Sequence, residues 1–115
     1  MMLLPVRIRL SKHEAVHLTT YIYRKCDGIL KNPDVRNDLI VLAEYYEKLY
    51  RKCRTHQLKT TNKPVLYLLP MSIARILHHR FQKETIHPTL QNVLNNLDQE
   101  LTNLSMKPTF PITLL

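Results

Sequence analysis

Val6-Arg7-Ile8-Arg9-Leu10 alternates apolar and basic side chains, the period-two pattern of a strand with one buried face. It runs without a spacer into Ser11-Lys12-His13-Glu14, the residues of a capping box. The Ser11 hydroxyl can accept from the Glu14 backbone N–H while the Glu14 carboxylate reaches back to the N–H of Ser11, so a helix is expected from Lys12. A strand that ends where a helix begins cannot pair with itself. Its backbone groups need a second strand, from elsewhere in the chain or from another chain. That requirement constrains the fold more than any other feature.

The chain supplies such a partner. After a polar stretch from Thr55 to Asn62, an offset of 59 aligns Val6 with Val65, Ile8 with Tyr67, Leu10 with Leu69, Ala15 with Ala74, Leu18 with Leu77 and Ile22 with Phe81. Ala15, Leu18, Ile22 and Cys26 form one apolar stripe, and Asp27-Gly28 is a helix stop. A second start at Asn32-Pro33-Asp34 opens a seam of Val35, Leu39, Leu42, Tyr46, Leu49 and Cys53, expected to end near Arg54. The spacing 90, 94, 97, 101, 104 repeats it in a fourth helix.

The expected fold is mostly α within the α+β class. It has four helices on one face of a two-stranded antiparallel ribbon, built as two pseudo-repeated strand-helix-helix units, about 5–55 and 64–104, of one domain over 1–104. Residues 105–115, with Pro108 and Pro111 and an apolar end, read as an extended tail.

A single Gly, at position 28, excludes the glycine-rich turns that carry backbone N–H groups up to nucleotide phosphates, and no cofactor is expected. No apolar run approaches the roughly 20 residues that span a bilayer, and Met1 to Pro5 lacks the form of a secretory signal. Two cysteines make no disulfide scaffold, so the expected compartment is the cytoplasm, without membrane contact.

Charge is concentrated rather than spread. The formal charge is +8, and residues 48 to 83 hold nine basic and no acidic groups. That block contains Lys48, Arg51, Lys52, Arg54, Lys59 and Lys63, and its asymmetry points to a polyanionic partner.

With Arg7 and Arg9 on the solvent face of the first strand and Val65 to Pro70 repeating the pattern, the unit resembles the ribbon-helix-helix family of DNA-binding proteins. The resemblance implies a ribbon that enters the major groove. It implies base contacts from Arg7 and Arg9, and phosphates held by the N–H groups opening the second and fourth helices, near Asp34 and Thr89. The sequence departs from the pattern at Leu66 and Leu68, which face outward on the second strand and cannot pair with base edges. Asp34 and Asp38 place negative charge where phosphate would sit. The two leucines suggest that part of the outer ribbon face is covered, by a second subunit or by the tail.

His13-Glu14-Ala15-Val16-His17 matches H-E-x-x-H, in which two histidines bind zinc and the glutamate activates water. With Ala15 at 0° on the helix, His13 and His17 fall at about 160° and 200°, away from the apolar stripe and beside Arg24. Two solvent-facing histidines beside a capping glutamate account for the pattern. A zinc-dependent hydrolase is the remote reading, with Asp38, Glu44 or Glu47 as third-ligand candidates. Cys26 and Cys53 lie on core seams. Tyr45, Tyr46 and Tyr50, with Arg51 and Arg54, have the composition of a base-stacking patch, but Tyr46 belongs to the seam and rings such as the other two more often cover a core edge. His78-His79 follows the apolar Ile76-Leu77, so one of the two rings is expected half-buried and the other exposed.

The reading that follows is a small basic non-enzymatic protein binding nucleic acid mainly at phosphates, through Arg7, Arg9, Lys48, Arg51, Lys52, Arg54, Lys59 and Lys63. The alternative is a protein-interaction or homodimerisation module.

Overall fold

A computed structural model describes residues 4–27 and 37–106, with the side chains of 105 and 106 excepted. The elements run β1 (Val6–Leu10), α1 (Lys12–Asp27), α2 (Asn37–Gln57), β2 (Val65–Leu69), α3 (Met71–Lys83) and α4 (Pro88–Met106). The two strands pair antiparallel within the chain, from Val6 opposite Leu69 to Leu10 opposite Val65. The inner face, Val6, Ile8, Leu10, Tyr67 and Leu69, is buried by the helices, and Arg7 and Arg9 are exposed. α4 packs against β1, α1 and α3, and α2 against α1 and α3.

α1 starts where the capping box places it. Glu14 N–H donates to Ser11 Oγ at 3.1 Å, and Ser11 N–H donates to Glu14 Oε1 at 2.8 Å. Ala15, Leu18 and Ile22 of its stripe are fully buried. The equivalent position before α3 is Pro70, which makes no side-chain cap. α4 is opened by His87, whose Nδ1 accepts from Thr89 N–H at 3.1 Å, with Pro88 at the first helical position, where a missing N–H costs nothing.

Two boundaries differ from expectation. α2 continues to Gln57, beyond Arg54, because its buried stripe of Leu42, Leu49 and Cys53 extends to His56, which is 1% exposed. The polar segment therefore contributes a core residue. α4 takes in residues 105 and 106, which the sequence pattern places in the tail, and 107–115 lie outside the described residues. So do the Gly28 stop and the Asn32-Pro33-Asp34 start. Val93, off the 90-94-97 seam, is fully buried beside Leu90 and Leu97.

Polar links tie the elements together. Lys12 Nζ donates to the Lys59 carbonyl at 2.6 Å, and Gln57 Nε2 to the Lys12 carbonyl at 2.9 Å, fastening the start of α1 to the end of α2. Arg80 on α3 meets Asp38 on α2 through Nε and a terminal nitrogen, both at 2.8 Å, and lies 3.6 Å from Glu84. Glu84 also accepts from the Tyr21 hydroxyl at 2.7 Å and pairs with Lys25. Partial burial opposes ionisation of Glu84, but bonds from Lys25 and Tyr21 outweigh it and hold the carboxyl below its ordinary value.

Candidate functional site

All eight basic residues singled out from the sequence are exposed, and the fold divides them between surfaces. On the ribbon's outer face Arg7 stands opposite Leu68 and Arg9 opposite Leu66. Leu68 is 53% exposed and Leu66 half-buried, so the outer face is apolar as well as cationic, and Leu68 is not covered by any described residue.

The edge of β2 meets α2. The Tyr45 hydroxyl donates to the Leu68 carbonyl at 3.3 Å, occupying an edge acceptor, and Lys52 Nζ lies 5.7 Å from the centre of the Tyr67 ring. Tyr45, Lys48 and Lys52 recur at three and four residues, so they share the flank of α2 that borders the ribbon. Arg54 lies on the opposite flank. Arg51, between the flanks, is engaged by Glu47 at 2.6 Å one turn back.

Beneath the ribbon-side lysines lies His56. Its Nδ1 is 3.0 Å from the Tyr67 hydroxyl, and its buried Nε2 has no hydrogen-bond partner among the described residues. Burial, then the charges of Lys59, Lys12 and Lys52, lower its pKa. Residues of α1, α2 and the following loop thus border one buried ring: Lys12 Nζ is held on the Lys59 carbonyl, and Lys52 Nζ lies over the Tyr67 ring that His56 meets. Lys12 is the member that sequence reading missed, because its block ended at the charge count rather than at the contact between α1 and α2.

Ion pairing sharpens this contrast. Among the described residues, no carboxylate pairs with Arg7, Arg9, Lys48, Lys52, Arg54, Lys59 or Lys63; the pairs formed involve Lys25, Arg51, His78 and Arg80. Asp38, anticipated as a repulsive charge, is neutralised by Arg80. Thr89 N–H, anticipated as a phosphate donor, is already given to His87 Nδ1. Asp34 lies outside the described residues.

The histidine motif also differs from its sequence reading. His13 is exposed, but His17 is half-buried, because a third ring covers it: His17 and His87 stack at 4.3 Å with 20° between planes, and His13 meets His17 edge-on at 4.5 Å. Burial, followed by His87, His13 and Arg24, lowers the pKa of His17. Stacked imidazoles present π faces to one another, whereas metal ligation needs in-plane lone pairs aimed at one point. Among the described residues no group of three His, Cys, Asp or Glu side chains is placed to hold a metal ion. Asp38 and Glu47 are engaged by Arg80 and Arg51 instead. His78 is half-buried against Asp98 at 3.0 Å and His79 exposed. Cys26 and Cys53 are free thiols, half-buried and buried, and burial raises the pKa of Cys26.

No family model, curated protein or solved structure matches the chain. Among the described residues no helix is long and apolar enough to cross a membrane.

Proposed function

We propose that this protein is a non-enzymatic nucleic-acid binder whose main contacts are to phosphates. The carrying observation is the separation of charges: the described carboxylates that form ion pairs meet Lys25, Arg51, His78 and Arg80, and none of the described carboxylates pairs with the cations of the ribbon and its flank. Phosphates are the ligands for Lys48, Lys52, Lys59 and Lys63, together with Lys12. Arg7 and Arg9 approach the same polymer from the ribbon, consistent with the ribbon-helix-helix resemblance. Leu66 and Leu68 offer apolar contact only, such as to a thymine methyl, so direct readout rests on the two arginines.

The test is replacement of both arginines. An Arg7→Gln/Arg9→Gln variant is expected to retain its fold, to weaken duplex binding, and to lower the magnitude of the salt slope by about 1 for each arginine that sits on a phosphate. An unchanged slope together with unchanged duplex affinity would remove the ribbon from the interface.

A second reading is self-association through the ribbon. Leu68, 53% exposed beside Leu66, is the observation that favours it. Light scattering across a concentration series would show a dimer that Leu68→Lys dissolves.

A further inference from the structure

On the flank of α2 turned away from the ribbon, α1 and α2 enclose an open groove of about 460 Å³, lined by Val16, Tyr23, Tyr46, Tyr50, Arg54 and Leu58 among others. Sequence reading grouped Tyr45, Tyr46 and Tyr50 with Arg51 and Arg54. The fold regroups them: Tyr45 turns to the ribbon and Arg51 to Glu47, and Tyr23 of α1 takes their place. Tyr46 lies between Tyr23 and Tyr50, at 5.8 and 5.9 Å with tilts of 45° and 31°. Rings at these angles do not cover one another, and Tyr23 and Tyr50 remain 54% and 45% exposed.

We infer that this groove is a binding site for unpaired nucleobases of a single-stranded nucleic acid, with Tyr23 and Tyr50 as stacking platforms and Arg54 on the adjoining phosphate. The argument for this occupant is complementarity. Among the described residues the lining is mostly aromatic and apolar, with Thr19, Thr20 and Gln57 as polar members and the Arg54 guanidinium as its ionic group, while Lys48 and Lys52 lie on the ribbon flank and Arg51 is held by Glu47. A second copy of this chain, at +8, brings like charge to that surface. A ligand that joins flat, weakly polar groups to negative charge satisfies both the rings and Arg54, and a single strand with its bases unpaired has that composition. In a duplex the base faces are stacked on one another and unavailable. The inference extends the proposed phosphate binding to a second surface and rests on that reading for its ligand class.

The test is fluorescence anisotropy with labelled single-stranded and duplex oligonucleotides of equal length, at low salt. A Tyr23→Ala/Tyr50→Ala variant, altered at two exposed positions and checked for native circular dichroism, is expected to lose about tenfold or more in single-strand affinity. Its duplex affinity should stay within about twofold of wild type, and Tyr23→Phe/Tyr50→Phe should restore single-strand binding, since stacking needs the ring and not the hydroxyl. Wild-type duplex binding with single-strand affinity unmoved by the alanine variant would overturn the groove assignment and leave the phosphate reading standing. Absence of binding to either polymer would overturn both. A dimer dissolved by the alanine substitutions, with oligonucleotide affinities unchanged, would make the groove a contact between copies and likewise overturn the inference.

Discussion

The His56 imidazole lies 3.0 Å from the Tyr67 hydroxyl, joining the last turn of α2 to the inner face of the ribbon in a place where both side chains are buried. Protonating that ring would put a charge into a dry site already under the influence of Lys12, Lys52 and Lys59. Its pKa is lower folded than unfolded, so its neutral form favours the fold. That contribution is fully present above the unfolded value of about 6.5 and is lost as pH falls through it toward the folded value. Urea midpoints at pH 7.5 and 5.5 should show a drop in wild type that is smaller in His56→Leu. Equal drops in the two proteins would mean that His56 is not the group responsible.

The Arg80 cluster governs a more acidic window. Glu84 has a folded pKa below its ordinary value, so its contribution is present above about pH 4.5 and is lost as pH falls below that. Replacing Arg80 by Met leaves Asp38 without its partner and weakens the hold on Glu84. A loss of about 2 kcal/mol at pH 7 is expected in denaturant unfolding, as for hydrogen bonds to partly buried charges. A loss under about 0.5 kcal/mol would show that the cluster behaves as an ordinary exposed ion pair.

His87 has two roles that one substitution separates from the rest of the chain. In His87→Ala the cap on Thr89 is gone, which costs about 1 kcal/mol. The stacked neighbour that lowers the His17 pKa is gone as well. NMR titration should therefore show the His17 pKa rising toward the ordinary histidine value. A His17 pKa that stays put would contradict the stacked arrangement.

The capping box predicts an asymmetry between the two strand–helix junctions. Ser11→Ala removes the acceptor for Glu14 N–H and should destabilise the protein by about 1 kcal/mol, whereas Pro70→Ala removes no side-chain cap. Denaturant unfolding of both variants checks it, and a Ser11→Ala protein as stable as wild type would contradict the cap.

What could be read from the sequence was what is local. The alternation of Val6 to Leu10 and the Ser11 to Glu14 box carry their own periodic and capping signals, and the apolar Val65 to Leu69 run was found by its offset of 59 from the first strand. The demand of one strand for another then pointed to their antiparallel pairing, within the chain or between two copies, and the fold makes it within the chain. What could not be read depends on elements separated in sequence. His56 sits among polar neighbours, and its burial follows only from where Tyr67 lies once the ribbon forms. His87 is a loop residue until α4 brings it onto His17. Tyr23 reads as a surface residue of α1 until the packing of α1 on α2 sets it beside Tyr46. Charge counting placed the cations along the chain but could not show that Arg80 is engaged by Asp38 and Glu84 while Lys12 joins the ribbon-side lysines.

The proposed phosphate contacts fall to the cations of the ribbon and its α2 flank, with which no described carboxylate pairs. They are tested by anisotropy of a mixed-sequence duplex, titrated with the full chain at several salt concentrations from about 50 mM upward. Measurable binding is expected at low salt, with log K falling linearly against log salt at a slope of several units, near −0.9 for each phosphate contact. No binding at about 50 mM salt, or an affinity indifferent to salt, would contradict it.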